Sequence, residues 1–551
     1  MLQITSLLSQ EDENRFIASS SFLIIDDFSG MRTMLSGILR NCGANPKAID
    51  FAGDGREALH QLGSKRYDIV LCDYNLGTGQ NGMQVLEEAR HRHLVGPSCC
   101  WLMVTADKTV ESVMGAAEAM PDAYLIKPVT EAALVTRINK IKVRKEAFKD
   151  IDQAILGQEY SRAIQLCDER AAIDKANAIE LLRLKCELLI RTGQAEKARS
   201  FYEKLLAARE IPWAQLGLAR TFLQTGDPDT ACELLEQLVN RSRSYLEAYD
   251  CLAETYRQLA LDEKAEHIIE RALTLSPRSH TRQRTMGEMA LASGKLERAE
   301  KAFRQAIQLA EFSVHKSPDS YLGLARVVNS RGNPQEALNI LDQMSKVFTD
   351  EQTHLQAKSV ECRIFADSGQ ETQVKKSASE MQQLLERAES SLLDQRTAFD
   401  IAETLLILGE SEKALQLLRT EVMNNPEDHA TLEAVRQILR KQGLTEEGNE
   451  LVENSRREAI EMMNSSVMLL RSGDFPTAIK KVRQALEMMP RNIRLLFNAV
   501  HIMLSQMEKN GPEPQLLRES RRHLSTANLH APGEARYNEL MIRLEALSSA
   551  E

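Results

Sequence analysis

A small-residue signature recurs through the last four hundred or so residues of this chain and constrains its fold more than any other feature. Glycine followed five positions later by alanine occurs at Gly193/Ala198, Gly226/Ala231, Gly294/Ala299, Gly332/Ala337, Gly409/Ala414 and Gly473/Ala478. Ala260/Ala265 repeats the pattern with alanine in place of glycine. Successive alanines at 198, 231, 265, 299 and 337 stand 33 to 38 residues apart. A period of this length marks one supersecondary unit that buries its apolar side only against copies of itself. From about Lys145 onward strand-like runs stop, and the pattern predicts helices of roughly twelve to fifteen residues joined by short turns.

The segment from 246 to 279 shows the finer pattern: Tyr249, Leu252, Ala253 and Tyr256, then Ala265, Ile269, Ala272 and Pro277. Small residues let the two helices of a unit approach closely, and large ones fill the gap to the neighbouring unit. This pattern resembles the tetratricopeptide repeat over residues 146 to 520, with nine to eleven units. Units around Gly157, Gly369, Gly443 and Gly511 are placed by their position in the series. An array of this kind needs capped ends, and the amphipathic segment Glu513 to Glu551, with Leu516, Leu517, Leu524, Leu540, Leu544 and Leu547, supplies them.

The first 145 residues are built differently. Four apolar runs of strand length end in polar residues: Phe22-Leu23-Ile24-Ile25 in Asp26-Asp27, Tyr67 to Cys72 in Asp73, Trp101 to Val104 in Thr105, and Ala123 to Ile126 in Lys127-Pro128. Helical segments are expected between and after them at Met31–Arg40, Gly55–Leu62, Met83–His91, Thr109–Met120 and Glu131–Lys142. Parallel strands joined by right-handed crossovers bring such ends to one edge, where α/β sheets bind ligands. Carboxylates gathered there repel by on the order of 4 kcal/mol per pair at 4 Å in a medium of effective dielectric near 20. A hard divalent ion such as magnesium, together with the Lys127 ammonium, would offset that repulsion. The set then makes chemical sense as a phosphoryl site: Asp73 as nucleophile, the metal and Lys127 on the phosphoryl oxygens, Thr105 donating to one of them.

The acidic pair, the aspartate, the threonine and the Lys-Pro in this order resemble the receiver domain of bacterial two-component response regulators, over about residues 20 to 145. The resemblance implies a doubly wound, flavodoxin-like α/β domain with a five-stranded parallel sheet, in which Asp73 accepts phosphate. It implies Mg2+ bound directly by Asp27 and Asp73, through water by Asp26, and by the backbone carbonyl of Asn75. Tyr124 takes the aromatic switch position, and Pro128 is a candidate for a cis peptide. Where many receivers have Met-Pro before a glycine, this chain carries the longer, glycine-rich Leu76-Gly77-Thr78-Gly79-Gln80-Asn81-Gly82.

The expected organisation is multidomain: a polar, loosely packed arm over 1–20, a receiver over 21–145, and an all-α solenoid over 146–551. The formal net charge is −10, with 17 acidic and 16 basic residues in 1–145 and 62 and 53 in the rest, so neither part has the basic excess of a nucleic-acid-binding domain. The nine cysteines show no paired spacing for zinc or a disulfide framework, no run reaches membrane-spanning length, and the first residues do not read as a signal peptide. A cytoplasmic protein follows. Histidines 267, 280, 354, 429 and 501 of the helical part lack metal-ligand spacing, and no catalytic set emerges there.

What remains in the helical part is surface. Tetratricopeptide geometry would place Arg183, Arg220, Arg257, Arg284 and Arg326 on the concave face, followed by the apolar Phe399, Met463, Val467 and Leu470. These arginines are either solvated and paired with intervening glutamates, or a groove for a partner's acidic segment. The functional expectation is a response regulator phosphorylated on Asp73 by a sensor histidine kinase or phosphotransfer protein. Its output is protein–protein interaction by the array with a partner that the sequence does not name, and no enzyme activity is expected beyond phosphotransfer and autodephosphorylation. The alternatives are an array acting as a phosphatase-like or inhibitory module on another two-component protein, or a nucleic-acid-binding solenoid.

Overall fold

Five strands pair in parallel into one sheet: β1 (Phe22–Ile25), β2 (Ile49–Ala52), β3 (Ile69–Asp73), β4 (Cys100–Thr105) and β5 (Ala123–Ile126), in the order β2-β1-β3-β4-β5. The computed structural model describes residues 17–548 apart from 93, 96–98, 107–120, 158, 176, 193, 314, 388–392 and 532–534. The expected helix Thr109–Met120 and the signature glycine Gly193 therefore lie outside the described residues. Helices α1 (Ser29–Asn41), α2 (Gly55–Ser64), α3 (Gly82–His91) and α4 (Glu131–Leu156) cover the sheet.

The apolar runs are continuous because both sheet faces are covered. Phe22, Ile24, Leu71, Leu102 and Val104 pack with Leu35 and Leu39 of α1 and Leu134 and Ile138 of α4. Leu23, Ile25, Val70, Trp101 and Met103 pack on the opposite face with Ala58 and Leu59 of α2 and Val85 and Leu86 of α3. Each such side chain contributes about 1.5 to 3 kcal/mol by leaving water. After β1 the chain moves outward to β2 and then returns to β3 on the other side of β1, which opens a crevice at their carboxyl ends. Ile25 pairs with Cys72 in register, so Asp26 and Asp73 leave the sheet side by side.

Several local features differ from the sequence expectation. Strand β2 is not among the apolar runs, because this edge strand reads Ile-Asp-Phe-Ala with Phe51 exposed and Asp50 bonded to Lys65 and Tyr67. Ile17, in the segment expected to be loosely packed, is buried in the core beneath α1 and α4. Helix α4 does not end at Lys142 but continues to Leu156, through position 145. Thr130 caps its start, and nothing in the sequence stops it before Gly157.

Beyond α4 the described chain is helical, and helices adjacent in sequence pack on one another, as Leu246–Gln258 does on Asp262–Leu275. Alanines 198, 231, 265, 299, 337, 414 and 478 are all fully buried. A Cβ on Gly217 would stand 2.4 Å from the Tyr202 ring, and one on Gly287 2.8 Å from the Phe303 ring, so these helices meet too closely for any side chain there. Not every helix keeps to the expected length. Glu351–Asp367 and Glu371–Arg387 have 17 residues each, and Thr445–Ser472 runs for 28 because no glycine or proline interrupts it after Gly448. Met463, expected on an exposed apolar stretch, is buried within a core instead. Leu516, Leu517, Leu524, Leu540 and Leu544 are buried in that same core.

The chain divides by contact into two compact bodies, Met1–Leu189 with Ala195–Ser317, and Pro318–Glu551 with Ile190–Gln194. The first holds the sheet domain and the first part of the array.

The signature glycines 226, 294, 332, 409 and 473 have φ between 70° and 84°, the left-handed conformation that ends a helix at low cost only for glycine. Gly157 instead has φ −77°. Ala260, the exception in sequence, adopts the same geometry with φ 55°. An L-residue there costs about 1 to 2 kcal/mol, part of which glycine returns as unfolded-chain entropy. Ala260→Gly is expected to stabilise the repeat by about 1 kcal/mol and Gly294→Ala to destabilise its own by a similar amount. Hydrogen exchange of the flanking helices measures both, and an unchanged or lower stability for Ala260→Gly would contradict the strain.

Candidate functional site

The side chains at the carboxyl edge of the sheet meet around one ammonium. Lys127 Nζ lies 2.8 Å from Asp73 Oδ2 and 3.1 Å from Asp26 Oδ2. Asp26 and Asp73 are buried and Asp27 is exposed, and carboxylate oxygens of all three lie within 4.8 Å of one another. Backbone pairing holds the frame: Asp26 N–H donates to the Ala52 carbonyl of β2 (3.2 Å), Tyr74 N–H to the Val104 carbonyl of β4 (2.9 Å), and Lys127 N–H to the Thr105 carbonyl (2.8 Å). The Phe28 amide donates to Asp26 Oδ1 at 2.9 Å, and the Arg32 guanidinium donates to the Asp26 carbonyl oxygen at 2.5 Å. Phe28 and Arg32 carry no motif that would single them out in the sequence.

Burial raises the pKa of Asp73, and the charge of Asp26 adds to the rise. The Lys127 hydrogen bond and charge and a hydrogen bond from the Asn75 backbone amide oppose it without cancelling it. Burial also works against the Lys127 charge, but bonds to Asp73 and Asp26 outweigh it and hold the ammonium above its ordinary pKa. Three carboxylates facing one ammonium leave the site with excess negative charge. Oxygen-only donors in that arrangement suit a hard divalent cation.

The other expected residues fall around this centre. Thr105 is buried at the end of β4, and the Lys127–Pro128 peptide is cis. Tyr124 lies on β5, and its hydroxyl is buried without a hydrogen-bond partner among the described residues. Burial and the neighbouring Tyr74 push its phenol up to about 12. The glycine-rich loop is fitted closely to the carboxylates. A Cβ on Gly82 would lie 2.1 Å from the Asp73 carbonyl oxygen, and one on Gly77 3.0 Å from Asp27 Oδ2.

The arginines expected on the concave face have acidic neighbours. Arg220 stands 3.9 Å from Glu247, Arg257 3.1 Å from Glu254 and Arg284 3.9 Å from Glu288 in the first body. In the second, Arg326 bonds Asp400 at 2.6 Å.

Comparison with known proteins matches this architecture. Residues 22–139 match the response regulator receiver domain family, and residues 212–237 and 284–345 match tetratricopeptide repeat families. The chain is 36% identical over 123 residues to chemotaxis protein CheY-3 of Vibrio cholerae, covering 22% of this chain and 88% of that protein. It is equally identical, over the same length, to chemotaxis protein CheY of Pseudomonas aeruginosa, of which it covers 93%. Among solved structures, Vibrio cholerae CheY4 is similar at 24% identity and TM-score 0.21 over 22% of this chain and 98% of that one. MamA is similar at 18% identity and TM-score 0.28 over 31% of this chain and 95% of that one. The chain belongs to the response regulators, with a receiver domain of the CheY type at its N-terminus and an array of tetratricopeptide repeats after it.

The raised pKa of Asp73 has a consequence for stability. Its carboxyl ionises less readily folded than unfolded, so its contribution is fully present below the unfolded value near 4 and is lost as pH rises. Asp73→Asn is therefore expected to melt at a higher temperature than the wild type at pH 7, with the gap closing as the pH falls toward about 4. Thermal melts followed by the fluorescence of buried Trp101 test this, and an Asn variant that is less stable at pH 7 would contradict it.

Proposed function

We propose that Asp73 is the phosphoryl acceptor of a two-component pathway and that the helical array carries the output by binding other proteins. The observation that supports this most is the convergence of Asp26, Asp27, Asp73 and Lys127 at the carboxyl edge of β1, β3 and β5, within a domain that matches the receiver family over residues 22–139. In this reading the donor is a sensor histidine kinase or phosphotransfer protein.

An Asp73 carboxylate oxygen attacks phosphorus, the new P–O bond forms as the P–N bond to the donor's histidine breaks, and the imidazole leaves. Asp27, Asp73 and the Asn75 backbone carbonyl would hold Mg2+ directly and Asp26 through water, and the ion would supply neutralisation of charge on the phosphoryl oxygens. Lys127 moves its contact from the Asp73 carboxylate to a phosphoryl oxygen. The Thr105 hydroxyl donates to another, and Tyr124 responds to the movement of Thr105. Lys127 already spans Asp26 and Asp73, so only one end of its interaction needs to change.

The assigned extents are a receiver over 21–145 following an arm over 1–20, and an array with capping helices over 146–551. Arg220, Arg257 and Arg284 in the first body, and separately Arg326 in the second, are proposed for partner binding, where an acidic segment competes with the carboxylates that now accompany them. No described helix is long and apolar enough to cross a membrane, and we place the protein in the cytoplasm as a regulator without enzyme activity beyond its own phosphoryl chemistry.

Incubation with acetyl phosphate followed by intact-mass measurement tests the chemistry. One phosphoryl group is expected on the wild type with Mg2+, none with excess chelator or in Asp73→Asn, and Asp27→Asn should need at least about tenfold more Mg2+. Full labelling in chelator, or undiminished labelling of Asp73→Asn, would refute the assignment.

A further inference from the structure

The loop that departs from the usual receiver pattern touches the array. Its two ends are fitted to the phosphorylation site, Gly77 against Asp27 and Gly82 against the Asp73 carbonyl, and Gly82 N–H also donates to the Tyr74 carbonyl at 2.8 Å. Between these anchors, the Gln80 amide donates to Glu88 at 2.6 Å and to the Phe312 carbonyl oxygen of the array at 3.1 Å. Both partners belong to the same compact body.

A second line of contact starts from the other end of α3. Asn81 caps the helix through a capping box with Gln84, so loop and helix are held together, and the last turn of α3 presents His91. The His91 ring meets the His315 ring edge-on at 5.6 Å, and His315 stacks on His280 at 6.5 Å. Ser313 joins the same cluster: its hydroxyl lies 3.3 Å from His280 Nε2 and accepts from the His315 amide at 3.1 Å. His280 opens the helix His280–Ala292, and Arg284 follows one turn along. Burial, His315 and Arg284 push the His280 imidazole down to about 4, so it is neutral where it stacks.

We propose that the β3–α3 loop and α3 dock on the array at Phe312, Ser313 and His315, and that this contact carries the phosphorylation state of Asp73 into the helix that bears Arg284. The inference rests on Asp73 being the phosphoryl acceptor. The physical route is short. A phosphoryl group on Asp73 adds charge at the residue whose backbone carbonyl Gly82 abuts, and any displacement at the start of α3 moves Gln80 directly and His91 through a three-turn helix. Gln80 reaches the array through an exposed hydrogen bond and His91 through ring contacts, interactions that a charge at Asp73 is able to make or break.

Hydrogen exchange of the full-length protein tests it, with and without acetyl phosphate and Mg2+ and with intact mass confirming the label on Asp73. In the wild type, labelling is expected to change exchange at Ser313, His315 and Lys316 and in the first turn of His280–Ala292 by at least about fivefold. In Gln80→Ala and in His315→Ala the change at His280–Ala292 is expected to fall below about twofold while Asp73 labels to the wild-type extent. Labelled wild type with unchanged exchange at both places, or an undiminished response in both variants, would overturn the docking and leave the assignment of Asp73 standing. Absence of label from wild-type Asp73 would instead remove the assignment and the proposal with it.

Discussion

The receiver depends on a charge imbalance held by strand register. Asp26 and Asp73 leave adjacent parallel strands side by side, and Lys127 reaches them from β5. Moving any of these strands by one residue would turn the side chain to the opposite face, so the two apolar cores and the charged crevice specify one another. Three carboxylates remain facing a single ammonium. A buried carboxylate made harder to ionise is a poor choice for stability, and under the proposed role of Asp73 as phosphoryl acceptor the cost lies where the function is.

The array follows a different rule. Each helix is held by its neighbours, with fully buried alanines and two helix glycines too close to aromatic rings to carry a side chain. Such packing makes stability nearly a sum of nearest-neighbour terms. A signal entering at one repeat therefore acts first on the helices beside it. The helix bearing Arg284 begins at His280, next to the turn that meets the receiver, so a local effect is sufficient there.

Much of this was readable from the sequence, because strand-end polar residues and the glycine–alanine period are local signals with direct structural causes. Asp26, Asp27, Asp73 and Lys127 were each visible as the residue that stops an apolar run. Strand β2 was not, since an edge strand with Asp50 and exposed Phe51 lacks the buried-strand pattern. The length of α4 and of Thr445–Ser472 was missed because helices end at stop signals, and none falls within α4 or after Gly448 in the other. Ala260 shows the converse: its neighbours impose the left-handed turn on a residue that does not prefer it. The contacts of Gln80 and His91 with the array could not be read at all, because they join residues more than two hundred positions apart.

The central claim is that phosphorylation of Asp73 changes what the array binds. The most direct measurement is the affinity of a partner recovered from the native cell extract for full-length protein, titrated against the phosphorylated wild type, the unphosphorylated wild type and Asp73→Asn. The account predicts at least about a tenfold difference between the two wild-type states, roughly 1.4 kcal/mol, with Asp73→Asn fixed at the unphosphorylated value. Equal affinities for the two wild-type states would contradict it.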